Sequence, residues 1–412
     1  MAMPLVQESI FRTFDRTAEL IGIRPRLQVD EILSEALDES GRSEFTTAQF
    51  FEPLRHLVWS YEEEANLSVF GRFAARFDIL RSLRNQLRFD YEESLRPQIS
   101  LRLISQPVFI TGLPRSGTTF LHTLLSIDPL NIVPCAWQLI YPYAEGDPRN
   151  CRQRVERQLW LFRQLSPELD GMHPLSADAP QECTDITAQV FQSLRFDTTH
   201  YIPSYSRWID SFGHLDEFRF HRRFLQHLDY QSPGRRWILK CPDHVFTLNA
   251  IREVYPDAYI IVLHRDPISV LASVAKLTDF LRRPFTRHVD LSEIGRQVSD
   301  RWAEGASQMV DLIKHQDQKI LHLCYSHLIS SPLKIIQLVY DHCDFNLTDE
   351  FRRGIRAYVD MNPRGGYAEH NYSLKEFGLN ATLLRIRFGR YLDELRLLLG
   401  DGVMTARAKA AA

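Results

Sequence analysis

The sequence predicts an α/β fold. A P-loop-like parallel sheet is flanked by helices, preceded by an N-terminal helical subdomain and interrupted by a helical insertion over the site. Three observations predict it. From Gln106 onward, short apolar runs alternate with helical patterns. The first run (Val108, Phe109, Ile110) enters a glycine-bounded turn, Gly112 to Gly117, and then an apolar-periodic stretch from Thr119 through Phe120, Leu121, Leu124 and Leu125. The later runs repeat this order, and short apolar strands leading into helices imply a parallel sheet covered on both faces.

Residues 1–100 read as the helical subdomain, with segments at Leu5 to Ile21, Val29 to Ser40, Thr47 to Ala65 and Val69 to Leu95. Few β-branched runs interrupt them, and Asp30 and Thr46 are the expected N-caps. Residues 101–400 read as the α/β domain. Its strands are expected at Val108 to Thr111, Arg236 to Leu239, Tyr259 to Leu263 and Ile320 to Cys324. The helices that follow are expected at Phe120 to Ile127, Val245 to Val254, Ile268 to Leu277 and Pro332 to Cys343. The stretch 135–231 carries no strand signal and reads as a helical insertion or acceptor lid. It is rich in aromatic residues (Trp137, Tyr141, Tyr143, Trp160, Phe162, Phe191, Phe196, Tyr201, Tyr205, Trp208), which points to an apolar pocket, although aromatic residues also fill cores. In parallel sheets ligands sit at the carboxyl ends of the strands, and every motif below follows one of these strands.

Composition bounds the function. The 412 residues are 44% hydrophobic and 25% charged, as in folded globular chains. A formal net charge of −3 gives no basic field for nucleic acid. Six scattered cysteines without a C-x-x-C pair read as reduced thiols of a cytoplasmic protein. No apolar run approaches the ~20 residues of a membrane span, and the N-terminus lacks the basic and apolar regions of a signal peptide. Peripheral membrane contact and oligomeric state stay open. The final TARAKAAA is left out of the fold.

The turn has the spacing of a phosphate-binding loop, G-x-x-x-x-G-K-[ST], with Thr118 where the lysine belongs. Backbone N–H groups and a helix end cradle an anion there. Without the lysine that reaches β- and γ-phosphates, the cradle suits a donor with less charge beyond the 5′ position. Arg115 supplies a basic group inside the loop instead. No H-E-x-x-H, carboxylate cage or Cys/His cluster offers a metal site, and none is expected.

The second motif is Ala258 to Val274, AYIIVLHRDPISVLASV. A strand ends at Leu263, Arg265 stands at its carboxyl end, Pro267 suits a first helical turn, and Ser273 follows Arg265 by eight residues, read as two turns into the helix. Together with Gly112 to Thr119, this pair resembles the two nucleotide signatures of the sulfotransferase family, which uses 3′-phosphoadenosine 5′-phosphosulfate (PAPS). The P-R-S-G-T-T form, Pro114 to Thr119, is similar to the branch of protein-tyrosine sulfotransferases and bacterial lipid and metabolite sulfotransferases. The blocks Pro180 to Cys183, Tyr205-x-x-Trp208, Trp237 to His244, Cys324 to Pro332 and His370 to Leu379 extend the resemblance in order, over roughly Gln106 to Leu395.

The resemblance implies in-line sulfuryl transfer from PAPS to a hydroxyl of a small-molecule or lipid-like acceptor, releasing adenosine 3′,5′-bisphosphate. The first loop, through Ser116, Gly117, Thr118 and Thr119, would hold the 5′-phosphate, and Arg115 would stabilise charge on the sulfuryl and leaving oxygens. Arg265 and Ser273 would hold the 3′-phosphate, where a guanidinium can grip two oxygens at once. Lys240 would stand near the transferring group and Tyr325 against the nucleotide. The turn Pro363 to Tyr367, with Arg364, Gly365 and Gly366, would close over the 3′-phosphate.

The expected general base is His244, read as one helical turn after Lys240, or Glu182 in the lid. Related enzymes often carry a glutamate after the tryptophan matching Trp137; here Gln138 stands there and cannot accept a proton. His122 is read as packing or acceptor-side lining. Two rivals remain at this stage. A P-loop kinase would need the missing lysine and a metal-binding aspartate in place of His264-Arg265. A non-catalytic PAPS- or bisphosphate-binding protein of the same fold has Gln138 in its favour.

Overall fold

The computed structural model describes residues 15, 17, 18, 20–143, 147–168, 176–315, 317–362 and 372–400. They form two compact units.

The first unit comprises Met1–Leu103, Pro134–Pro233 and Leu277–Val289, so the N-terminal helices and the 134–233 stretch cluster together. Its long helices are Val29–Ser40, Phe51–Glu63, Val69–Leu95, Pro148–Leu165, Pro203–Phe212 and Leu215–Gln231. Two of them, Val29–Ser40 and Val69–Leu95, have the bounds the sequence predicts. The N-caps differ from expectation. Gln28 and Phe50 occupy the first two cap positions, without a side-chain bond, and Asp30 falls in the first turn. Ser68 caps the third helix by accepting from the Gly71 N–H at 3.0 Å. Gly71 is required by close approach: a Cβ there would lie 1.9 Å from the Phe285 carbonyl oxygen. Arg195 joins Asp78 and Asp185, and Arg81 joins Asp78. Burial opposes charge on Asp78, but the two guanidiniums outweigh it and hold the carboxyl below its usual range. Phe191, Phe196 and Tyr205 are buried in this unit, with the Tyr205 hydroxyl donating to the Phe191 carbonyl at 2.7 Å. These three of the stretch's aromatic residues are core rather than pocket lining.

The second unit comprises Ile104–Val133, Gly234–Lys276 and Asp290–Ala412. It holds a five-stranded, all-parallel sheet: β1 Val108–Gly112, β2 Asn131–Ile132, β3 Arg236–Lys240, β4 Tyr259–His264 and β5 Ile320–Cys324, in the order β2-β3-β1-β4-β5. The four predicted strands are present, each within one residue of its expected bounds. One face buries Val108, Ile110, Ile261, Leu263, Leu321 and Leu323 under the helices Thr118–Ser126 and Pro332–His342. Each such aliphatic side chain contributes about 1.5–3 kcal/mol. On β1 the alternate residue, Phe109, meets His244 and Tyr255 at 5.2 and 5.3 Å between ring centroids.

β2 was not predicted, because its signal is polar. Asp128 accepts from the Leu130 N–H at 2.9 Å, from Arg236 at 2.9 Å and from the Tyr340 hydroxyl at 2.5 Å. Asn131 donates to the Leu125 carbonyl at 2.8 Å. These bonds place a two-residue strand that no apolar run announces.

Candidate active site

Parallel pairing gathers the carboxyl ends of the strands on one edge of the second unit. Ile110 pairs with Lys240, Gly112 with Leu263 and His264 with Cys324. Lys240, the 112–117 turn, Arg265 and Tyr325 therefore leave adjacent strands at the same edge.

The turn is built for close approach. Gly112 has φ 143°, and a Cβ there would lie 2.2 Å from the Leu263 carbonyl oxygen and 3.1 Å from Ser116 Oγ. Arg115 (φ 65°) and Gly117 (φ 93°) both take left-handed backbone angles. For a non-glycine residue such as Arg115 that conformation costs about 1–2 kcal/mol. Alternating backbone conformations of this kind turn successive N–H groups into one concavity. The helix Thr118–Ser126 begins there, capped by Gly117 with no side-chain acceptor. Ser116 Oγ is fully buried and has no hydrogen-bond partner among the described residues, which fits a hydroxyl awaiting an anion.

Arg265 ties the end of β4 to the 112–117 turn. Its Nη1 donates to the Arg115 carbonyl at 2.5 Å, and its guanidinium lies 3.9 Å from the centroid of the Tyr325 ring. A carbonyl that accepts from a guanidinium offsets part of the strain at Arg115. Burial lowers the Arg265 pKa, with Arg115 adding to the shift and Tyr325 and Asp266 opposing it; a guanidinium stays charged regardless. Asp266 caps the turn Pro267–Ser269 by accepting from the Ile268 N–H at 2.8 Å. Tyr325 also lines the loop: a Cβ at Gly117 would lie 2.8 Å from its Cδ2. Gly117→Ala is expected to weaken binding of adenosine 3′,5′-bisphosphate about tenfold or more, since about 1.4 kcal/mol of strain and ring displacement suffices. Calorimetry on the variant checks this.

Two sequence expectations need correction. Ser273 does not lie two turns into a helix. The segment opens with the separate short turn Pro267–Ser269, and Ser273 is the third residue of the helix Leu271–Arg282. That places it in the first turn, where backbone N–H groups are also free to meet an anion. Nor are Lys240 and His244 one helical turn apart. Lys240 ends β3 and His244 begins the helix His244–Val254. Both are buried, and the His244 ring stands edge-on to Phe109.

Glu182 is half-buried in the first unit, two residues before the helix Thr184–Thr187. Gln138 is committed to capping: its Oε1 accepts from the Cys135 N–H at 3.0 Å. Its presence is explained by helix geometry and does not argue for loss of activity. His122 is fully buried, with Nε2 3.0 Å from the Ile238 carbonyl, and packs as read. Arg364, Gly365 and Gly366 lie outside the described residues.

Tyr372 and Lys276 were not singled out in the sequence. Burial raises the Tyr372 pKa while Arg115 and Lys276 pull it down, so both cations stand near the phenol. Lys276 pairs with Glu376 at 2.6 Å, joining the 271–282 helix to the 372–379 block. The periodicity that marks helices gives no sign of such a long-range pair.

Among the described residues no group of three or more His, Cys, Asp or Glu side chains could hold a metal ion. No described helix is long and apolar enough to cross a membrane.

Comparison with known proteins agrees with this geometry. The sequence profile of the sulfotransferase family matches residues 107–349. The omega-hydroxy-beta-dihydromenaquinone-9 sulfotransferases Stf3 of Mycobacterium bovis and Mycobacterium tuberculosis are 25% identical over 291 residues, covering 65% of this chain and 70% of theirs. The crystal structure of sulfotransferase STF1 from M. tuberculosis is 29% identical, with a TM-score of 0.75 over 88% of this chain and 98% of that one. Sulfotransferase STF9 from Mycobacterium avium gives 25% identity and a TM-score of 0.79 over 90% of this chain and 97% of its own. With a parallel sheet, a glycine-bounded turn that lacks the lysine, Arg265 bonded to that turn, and a family match over more than half its length, the chain belongs to the PAPS-dependent sulfotransferase family.

Proposed function

We propose that this sulfotransferase moves the sulfuryl group of PAPS to a hydroxyl on an apolar, lipid-like acceptor. The observation that carries the donor reading is the direct bond from Arg265 to the Arg115 carbonyl, which joins two anion cradles on one strand edge. The acceptor reading is supported by the similarity to Stf3, whose name specifies a hydroxylated menaquinone derivative. A cytoplasmic setting is part of the proposal, supported by six scattered cysteines that form no C-x-x-C pair.

In the proposed reaction the acceptor oxygen attacks sulfur in line. The bond between sulfur and the bridging oxygen breaks, and that oxygen leaves as part of the 5′-phosphate of adenosine 3′,5′-bisphosphate. As in phosphoryl transfer, positioning and charge stabilisation carry the catalysis. Backbone N–H groups of Ser116 to Thr119, with the hydroxyls of Ser116, Thr118 and Thr119, hold the 5′-phosphate. Arg115 and Lys240 offset charge on the sulfuryl and leaving oxygens. Arg265 and Ser273 take the 3′-phosphate, with Tyr325 against the nucleotide. The acceptor proton goes to Glu182 or to His244, the two candidates carried from the sequence.

Incubation with sulfur-labelled PAPS and a lipid extract, read by mass spectrometry, tests the reading. Expected are label in a hydroxylated apolar product and release of adenosine 3′,5′-bisphosphate; bisphosphate binding without any labelled product would refute it. In the same assay Glu182→Gln or His244→Ala is expected to lower turnover at saturating donor by about 10²–10⁴-fold, the contribution of a positioned base. Near-wild-type rates for both would remove both as the base.

A further inference from the structure

The C-terminal helix Gly389–Gly400 carries a buried tyrosine that reaches the strand end from which Arg265 departs. Tyr391 Oη lies 3.2 Å from His264 Nδ1 and 3.5 Å from the Arg265 carbonyl. His264 Nε2 lies 2.9 Å from His322 Nδ1 on β5, and the His322 ring meets the Leu312 backbone carbonyl in the helix Leu291–His315. One direction of donation satisfies the chain. His322 donates to Leu312, His264 donates to His322, and the Tyr391 hydroxyl donates to His264. Burial holds both imidazoles neutral, pushing His322 down to about 4 and His264 well below its ordinary value. Every member belongs to the second unit.

None of these groups is in the reaction as proposed, yet the hydrogen-bonded series passes through His264, the residue peptide-bonded to Arg265. Tyr391 and His264 are nearly inaccessible, and their rings stack at 5.8 Å between centroids. A buried polar group is costly unless satisfied, so this linkage fixes where β4 ends. Beyond it, the Arg265 side chain must meet the Arg115 carbonyl and the Tyr325 face together. A displacement of about 1 Å in such a group can cost on the order of 10²-fold.

We propose that Tyr391, acting through His264, is a positioning residue that fixes the backbone at Arg265 and so sets discrimination for the 3′-phosphate of the nucleotide. The proposal rests on the reading of Arg265 as the 3′-phosphate ligand. Its test compares the affinities of adenosine 3′,5′-bisphosphate and adenosine 5′-monophosphate, by calorimetry on the full chain. Tyr391→Phe keeps the ring in the core and removes only the hydroxyl. Expected is an approximately tenfold loss for the bisphosphate, with the monophosphate within about twofold, so that the ratio narrows. His264→Gln, a second variant should the first fail to fold, is expected to narrow the same ratio. Arg265→Ala should abolish it. An unchanged ratio in the folded variants, or equal losses for both nucleotides, overturns the role of Tyr391. A wild-type chain that does not prefer the bisphosphate overturns the reading of Arg265 itself, and the positioning role with it.

Discussion

Lys240→Met is expected to lower turnover by about 10²–10³-fold while the affinity for adenosine 3′,5′-bisphosphate stays within about threefold. The magnitude is that of removing one preorganised donor aimed at developing charge. Lys240 is 1% exposed, at the last position of β3 and paired with Ile110 of β1, two residues before the anion loop begins. Its place at a strand end beside the loop suits a donor aimed at the transferring group. Methionine keeps the length and apolar body of the side chain and removes the charge. A variant that stays folded as the rate falls separates a catalytic loss from a folding defect. Steady-state kinetics at saturating donor, paired with a thermal melt, provides the measurement. A rate within threefold of wild type would exclude Lys240 from the reaction.

Arg265→Ala is expected to weaken binding of adenosine 3′,5′-bisphosphate by about 10²–10⁴-fold, from two charge-assisted hydrogen bonds at roughly 1.5–3 kcal/mol each. The helix end nearby contributes less, about 0.3–2 kcal/mol, and cannot compensate. Loss of the bond to the Arg115 carbonyl should also weaken adenosine 5′-monophosphate somewhat, because the loop loses its brace. Arg265→Lys restores charge but neither the two-pronged grip nor the stacking on Tyr325, and should recover only part of the affinity. Calorimetry on the three proteins decides it, and an alanine variant that binds within threefold of wild type would place the 3′-phosphate elsewhere.

The strand edge that carries the candidate site was legible in the sequence to the extent that it is written in local pattern. Short apolar runs located β1, β3, β4 and β5 because parallel strands are buried on both faces. Gly112 and Gly117 marked the turn because only glycine tolerates both its backbone angles and its contacts with Leu263 and Tyr325. Long-range polar pairing was not legible. β2 depends on Asp128 meeting Arg236 and Tyr340, residues more than a hundred positions away. The buried linkage of Tyr391 to His264 likewise spans 127 positions. Ser273 was misplaced because the sequence does not reveal that the Asp266 cap closes a separate short turn before the helix. Gln138 was noted as a departure from a pattern; its actual use, as acceptor for the Cys135 N–H, follows from helix-end geometry that spacing alone leaves open.

The bond between the Arg265 guanidinium and the Arg115 carbonyl has a kinetic corollary. On the proposed reading, the linked handles grip the two phosphates of the nucleotide, and both phosphates survive sulfuryl transfer. The spent carrier is held by the same grips as fresh donor and competes with it. Accumulated by-product is therefore expected to slow repeated cycles, and its removal to restore them.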